Sequence, residues 1–433
     1  MPTVYVVGLD PFNEHTHLEP LREDGVDFRP LLRERQVRQP TMPVLESLRL
    51  ARERLAGQTE PPDGVIAHWD FPFTLLAAML RDEHELPGPT ARATFACEHK
   101  LWSRRIQQRA APDAVPAFDA IDPFADEPLD ACSVEVPFWM KPIKAYSSRL
   151  GFLVNDREHF RELLPRIRRE TLGLAEPFNR LLDADDPEDR PQPDGRFLIV
   201  ESLIGGRQFT VEGFVRRGET HIYGVIDSLL YPETSSFERY QYPSTLPDRV
   251  RDRAASVAAR VMPETGFDDG CFNIEFFWDE DSDDLHIVEI NPRLSQAHSN
   301  LFQKVDGASH HRVAARLALD RDPERQPRAG RFGAAAKFML RAFVRDGVVR
   351  RTPSSDDIAS LRRDHPEVIV RPMVAQGDWL SDHRVQDSYS YLLADVYAGA
   401  DRVEDLDDLR AEVAGRLGFD IDERPRPGRE DDE

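Results

Sequence analysis

The sequence predicts an α/β protein with an open parallel sheet at its N-terminal end and α+β lobes after it. Three observations carry this. Over about the first 95 residues, short apolar runs alternate with helical patterns, the order that builds a parallel sheet. In the middle of the chain apolar runs come in pairs around polar turns, as antiparallel hairpins do. Beyond residue 330, strand and helix patterns alternate again over a short span.

Residues 3–7, TVYVV, end at Gly8 and suit a buried first strand. Residues 41–56 space Met42, Leu45, Leu48 and Leu55 as a helix does, 64–68 (GVIAH) read as a strand, and 73–80 as an apolar helix. A helix over 98–110 carries Lys100 in its first turn and stops at the Pro-containing turn 112–116. Residues 138–142, FWMKP, form a strand with Lys141, and a charged helix covers 156–170. The acidic, Pro-rich stretch 183–196 is expected as an exposed connection, followed by a buried strand at 197–200 that breaks at 201–206, ESLIGG. A hairpin over 209–215 and 221–226 turns at Arg217 and Gly218, and a helix spans 248–261. After residue 293 the pattern gives a helix at 306–319, a Pro-, Gly- and Arg-rich joint at 321–331, and a strand near 335–345. A helix near 354–363, strands at 368–374 and 389–397 and a helix at 403–417 complete it.

The most informative stretch is 272–293, FNIEFFWDEDSDDLHIVEINPR. Two apolar runs flank the acidic turn 279–284, so a hairpin is expected in which Glu275 lies opposite Glu289 and Asn291 shares their face. Opposed carboxylates repel unless a cation lies between them, and two acids with an amide oxygen are hard ligands suited to Mg²⁺ and a nucleotide. Asp279, Asp281 and Asp283 have the alternate spacing of a calcium loop, but Asp284 stands where that loop needs Gly and Ile290 where it needs Glu.

The formal charge of -22 over 433 residues argues against nucleic acid or an anionic membrane as a partner. Three distant cysteines, Cys97, Cys132 and Cys271, without a CxxC pair point to a reduced, cytoplasmic protein. No basic segment precedes the first apolar run and no run approaches the ~20 residues that span a bilayer, so no export signal is expected. Of 56 basic residues only five are lysine: Lys100, Lys141, Lys144, Lys304 and Lys337. A lysine kept in such a chain suggests a compact charge against phosphate, although Lys304 reads as a chance survivor and Lys337 stays open. No GxGxxG, GxSxG, HExxH or Walker-type GxxxxGK is present.

Taken in order, a lysine helix, a lysine strand with a small-residue loop, an apolar strand ending in Glu, then NIEF at 273–276 and EINPR at 289–293 resemble the ATP-grasp superfamily. The resemblance implies an ATP-grasp fold: a pre-ATP-grasp domain over 1–95, an ATP-grasp domain over 96–325 with a hinge near 197–206, and a closing subdomain over 330–420. That last part is similar to the C-terminal part of biotin-carboxylase-like enzymes, and 421–433 would be a disordered tail. It implies that Lys100 and Lys141 neutralise phosphate, with Ser147 and Ser148 as hydrogen-bonding partners. Glu201, Ser202, Leu203 and Ile204 would lie along adenine, and Gln208 would meet the ribose. Glu275, Glu289 and Asn291 would hold Mg²⁺ or Mn²⁺, and Arg293 with Lys141 would act on the transferred phosphoryl group. Only the metal trio also follows from spacing.

The implied activity is an ATP- and Mg²⁺-dependent carboxylate–amine ligase that passes through an acyl phosphate. Its partners would be a small-molecule carboxylate and amine. A phosphotransferase and a non-catalytic nucleotide-binding protein are the alternatives. The loop 144–151, KAYSSRLG, departs from the glycine-rich form, and Gln208 stands where an acid is common. His310 and His311 read as helix-surface histidines. Arg149, Tyr231, Arg239 and Arg371 carry suitable charge or aromaticity for a substrate pocket, but nothing in the pattern separates them from structural residues. Oligomeric state is not legible, a homodimer being the commonest outcome for soluble assemblies.

Overall fold

The computed structural model describes residues 1–39, 41–144, 150–185, 193–325, 327–383 and 390–426. Ser147, Ser148, Arg149 and the tail from residue 427 lie outside the described residues. The chain divides into two compact units, the first made of Met1–Gly224, Pro247–Gln296 and His310–Glu324, the second of Val225–Leu246, Ala297–Ser309 and Arg325–Glu433.

The first unit opens with β1 (Thr3–Leu9), β2 (Asp27–Arg33) and β3 (Gly64–Ala67), a parallel sheet in the order β2-β1-β3. Both faces of β1 are covered: Tyr5 and Val7 pack with Leu48, Phe73 and Leu76, while Val4 and Val6 pack with Phe28 and Ile66. This double burial is why the strand reads as an unbroken apolar run. β2, DFRPLLR, escaped the sequence reading because charges and Pro30 interrupt its apolar pattern.

Next come β4 (Phe118–Ile121), β5 (Phe138–Pro142), β6 (Phe152–Val154) and β7 (Leu198–Ser202), an antiparallel sheet in the order β4-β7-β5-β6. The strand expected to break at Glu201 continues through it, because Glu201 pairs across the ladder with both Phe118 and Trp139. The helix behind this sheet runs over Arg157–Asp185 in place of 156–170 and contains Pro165 and Pro177. Phe178, Leu181 and Leu182 bury against the core under β1, which holds the extra turns. The helix expected at 98–110 is two helices, Ala91–Glu98 and Lys100–Ala110, separated by His99, whose Nδ1 accepts from Trp102 N–H at 3.1 Å.

β8 (Arg207–Arg216) and β9 (Glu219–Leu230) form the expected hairpin, turning through Arg217 and Gly218 at φ 51° and 79°. After β10 (Phe237–Tyr242), which belongs to the second unit, the chain supplies the helix Asp248–Glu264, β11 (Gly270–Trp278) and β12 (Leu285–Asn291) to the first. Here the strand order is β12-β11-β8-β9.

The second unit continues from the end of β9 through β10, β13 (Ala334–Ala342), β14 (Gly347–Arg351), β15 (Ile369–Pro372), β16 (Tyr391–Ala400) and β17 (Asp420–Glu423). Its main sheet runs β9-β10-β13-β16-β15, with the helices Ser355–Asp364 and Leu406–Leu417 contributing to its core, and β14 pairs with β17. Residues 421–423, expected as tail, are therefore strand. The helix expected at 306–319 is replaced by Gln296–Asp306 and His310–Leu317, parted at Gly307, whose φ of 78° ends the first.

Lys304 is not a chance survivor: it is buried, donates to the Glu367 carbonyl at 2.6 Å, and burial pushes its ammonium down to about 8. Lys337 pairs with Asp395 at 3.0 Å. Tyr231 hydroxyl donates to the Met339 carbonyl at 2.9 Å, and Arg239 bonds Gln241 and Asp407, so both serve the second unit's own packing.

Candidate active site

The acidic hairpin brings Glu275 opposite Glu289 and Asn273 opposite Asn291, the pairing expected from the sequence, but for a different reason. The turn sets Trp278 against Leu285 and Phe276 against Ile287, a register that would leave Glu275 facing Val288. A one-residue bulge between Phe276 and Glu275 shifts the ladder and swings Glu289 onto the face of Glu275. Arg104 holds that bulge: its Nη2 donates to the Val288 carbonyl at 2.8 Å while its Nε donates to Glu201 Oε1 at 2.5 Å.

Around the two acids the contacts are specific. Asn291 Nδ2 donates to Asn273 Oδ1 at 2.9 Å and to Glu275 Oε1 at 3.2 Å, which leaves the amide oxygen for a cation. Gln208 Nε2 donates to Glu275 Oε2 at 3.1 Å, so in this arrangement it positions an acid. Lys100 Nζ reaches Glu289 Oε2 at 3.3 Å and Lys141 Nζ reaches Glu201 Oε2 at 2.9 Å. The field of Lys100, outweighing burial and aided by Lys141, holds Glu289 well below the usual carboxylate range. Burial first and Glu289 second push Glu275 upward. Burial and repulsion thus raise one acid of the pair while the lysines lower the other.

On the small sheet, Lys141 and Glu201 share a face with Trp139 and Leu153, which lie next to each other across β5 and β6 and stay 37% and 44% exposed. This apolar platform beside the Lys141 ammonium was not singled out from the sequence, although the alternation in FWMKP carries it. Glu201 itself is buried; burial raises it, but Arg104 and Lys141 prevail and bring it down to about 2. Ser202 N–H already donates to the Ala117 carbonyl at 2.8 Å, so it is not open to an adenine edge. Leu203, just past the strand, is 47% exposed.

Arg293 Nε bonds Asp70 Oδ1 at 2.5 Å, an acid the sequence reading missed. Lys144 pairs with Glu98 at 2.5 Å in a buried position beneath the rings of Phe71 and Phe178 and serves packing. His310 and His311 are buried, against expectation: His310 lies 3.5 Å from Glu212, and His311 stacks on His17 at 4.5 Å. The helix His310–Leu317 turns these residues inward, which the charges beside them in HHRVAARL disguise.

Residues 134–300 match the family profile of the ATP-grasp domain. The chain contains an ATP-grasp domain. The match takes in Lys141, Glu201, the acidic hairpin and Arg293, while Lys100 lies before it. A curated relative, the carbamoyl phosphate synthase large chain of Thermomicrobium roseum, is 31% identical over 138 residues, 31% of this chain and 13% of that protein. The chain thus spans only a small fraction of the curated relatives it matches. Among solved structures, an L-amino acid ligase from Bacillus licheniformis shares the fold over 98% of this chain and 99% of its own, at a TM-score of 0.74 and 15% identity. A biotin carboxylase from Campylobacter jejuni, in an ATP complex, covers 97% of this chain and 92% of its own, at 0.61 and 13%. These two likenesses show that the chain shares their fold over nearly its whole length, including the α+β part beyond residue 330.

The donor set fits a hard divalent cation: two carboxylate groups and an amide oxygen on one sheet face. Among the described residues no group of three His, Cys, Asp or Glu side chains is placed to hold a metal ion by itself. None of the helices among the described residues is long and apolar enough to cross a membrane.

Proposed function

We propose that this protein is an ATP- and Mg²⁺-dependent ligase that activates a small carboxylate and joins it to an amine. The observation that carries the reading is the bulge-set pairing of Glu275 with Glu289, with Asn291 beside them, Lys100 paired with Glu289 and Lys141 paired with Glu201. Glu275, Glu289 and Asn291 would hold Mg²⁺, which supplies charge neutralisation between phosphates. Lys100 and Lys141 would leave their acids for phosphate oxygens. Trp139, Leu153 and Leu203 offer the apolar surface for adenine, with the backbone of Leu203 at its edge. Arg293, aimed by Asp70, would bind the transferred phosphoryl group. In this reading residues 1–95 form the pre-ATP-grasp domain, 96–325 the ATP-grasp domain and 330–420 the small C-terminal subdomain.

The chemistry asks for positioning and charge, and these residues provide both. A carboxylate oxygen attacks the γ-phosphorus, the bond to the β–γ bridging oxygen breaks, and ADP leaves with that oxygen. The amine then attacks the acyl carbon, phosphate departs, and the new amide loses one proton. The fold shared with an L-amino acid ligase supports amino acids as the first substrates to try. Screening carboxylate and amine pairs for ADP release, with Glu289→Ala as the control, tests the proposal. The variant is expected to lose ATP turnover by about 100-fold or more and to keep its melting temperature. Full turnover in that variant would sink the metal site.

A further inference from the structure

The proposed ligation needs a second substrate that arrives as a cation, and the site contains an acid of which Arg293 engages one oxygen and leaves the other. Asp70 follows β3, at the carboxyl end of the parallel sheet, where open α/β sheets bind ligands. Its Oδ1 receives Arg293 Nε at 2.5 Å, its Oδ2 accepts nothing among the described residues, and 49% of the side chain's surface is open.

The loop that presents it is fixed from several sides. Asp10, buried at the end of β1, accepts from Trp69 Nε1 at 3.1 Å and pairs with His68 Nε2 at 3.2 Å. Phe73 N–H donates to the Asp70 carbonyl at 3.1 Å, and the Arg38 guanidinium lies 4.8 Å over the Trp69 ring. Asn13 Nδ2 bonds both Asp10 and Gln296 at 2.6 Å, tying the same sheet end to the segment that follows Arg293. The charge of Asp70 adds a small part to the upward push on Glu275, so the two carboxylates lie within reach of each other's field.

A half-open carboxylate costs repulsion in a site that receives a triphosphate unless a cation completes it. Arg293 completes only one of its oxygens. We propose that Asp70 binds the ammonium group of the amine substrate and thereby sets a preference for cationic nucleophiles. This rests on the ligase reading above. Asp70 makes no bond in the reaction. The bound ammonium gives one proton to solvent, its lone pair attacks the acyl carbon, phosphate leaves with the electrons of the broken C–O bond, and the second proton on nitrogen passes to that phosphate.

The test uses the full chain with ATP, Mg²⁺ and a carboxylate that supports ADP release. Two nucleophiles are compared: glycinamide, which carries an ammonium, and hydroxylamine, which is mainly neutral near neutral pH and traps the acyl phosphate as a hydroxamate. In Asp70→Asn the KM for glycinamide is expected to rise at least about ten-fold more than that for hydroxylamine, any loss common to the two nucleophiles being what Asp70 contributes through Arg293. Asp70→Glu should restore most of that KM, and unchanged ATP binding in both variants shows that they fold. An unaltered glycinamide KM in Asp70→Asn overturns the proposal. So does a parallel loss with both nucleophiles, which would mean that Asp70 acts only by holding Arg293. If wild type makes no hydroxamate with any carboxylate, the ligase reading itself falls and takes this inference with it.

Discussion

At the scale of single residues, the sequence exposed the groups whose chemistry is unusual where they stand and hid those whose chemistry is common. Glu275, Glu289 and Asn291 stood out because acids and an amide interrupt apolar strands, and Lys100 and Lys141 because lysine is rare here. Arg104 did not stand out in a chain that uses arginine almost everywhere. Yet one guanidinium bonds both the Glu201 carboxylate and the carbonyl of the bulged Val288, linking the strand next to Lys141 to the strand that carries Glu289. A planar fork can serve two acceptors at fixed angles, and an ammonium on a flexible stem cannot. Arg104→Lys should therefore lower kcat by about 10- to 100-fold, the cost usual for losing a group that orients metal ligands. A circular dichroism spectrum like that of wild type would separate this from unfolding, and undiminished kcat would show that the bulge holds without the fork.

At the scale of elements, strands with clean periodicity were legible and their boundaries were less so. β1, β3, β5, the β8–β9 hairpin and the acidic hairpin follow from apolar runs and turn residues. β2, β10, β14 and β17 do not, because FERYQY and DIDE carry too little apolar pattern to separate them from loops. The pairing of Glu275 with Glu289 was expected from a symmetry that the bulge in fact supplies, since no turn residue signals a bulge three positions away. The segment between β7 and β8 gives a sharper test. Gly206 has φ +106°, and an added Cβ would sit 2.2 Å from the Trp278 carbonyl oxygen, backbone that cannot yield. Gly206→Ala should destabilise by about 1–3 kcal/mol and push the 203–206 segment away from β11. If that segment borders adenine, the KM for ATP rises as well. A stability loss in urea titrations with an unchanged KM would remove Leu203 from the nucleotide site.

For the whole molecule, charge and burial make opposite demands on pH. A net charge of -22 at pH 7 implies self-repulsion that acid would relieve, but carboxylates with ordinary values of 3.8 to 4.5 take up few protons above about pH 5.5. Between 6.5 and that point the histidines titrate, alongside the buried carboxyls of Glu275 and Glu212, which burial raises. His17, His68 and His311 are buried together near Asp10, and among the described residues His17 Nε2 has no hydrogen-bond partner. Burial brings His17 down to about 3 from an ordinary value of 6.5, with His68 adding to the fall and Asp10 opposing it. Below 6.5 the unfolded chain takes up a proton that the folded chain refuses, so stability is intact above that pH and falls as pH drops toward 3. At about 1.4 kcal/mol per unit, His17 alone should remove about 2 kcal/mol between pH 6.5 and 5. Urea midpoints at pH 7 and pH 5 read this as a difference between two proteins: because the raised carboxyls of Glu275 and Glu212 shift both proteins alike, His17→Phe should lose less stability than wild type over that range. Equal drops in the two proteins would mean that the buried ring already carries its proton, and the packing of His17 on His311 would have to be reread as a charged contact.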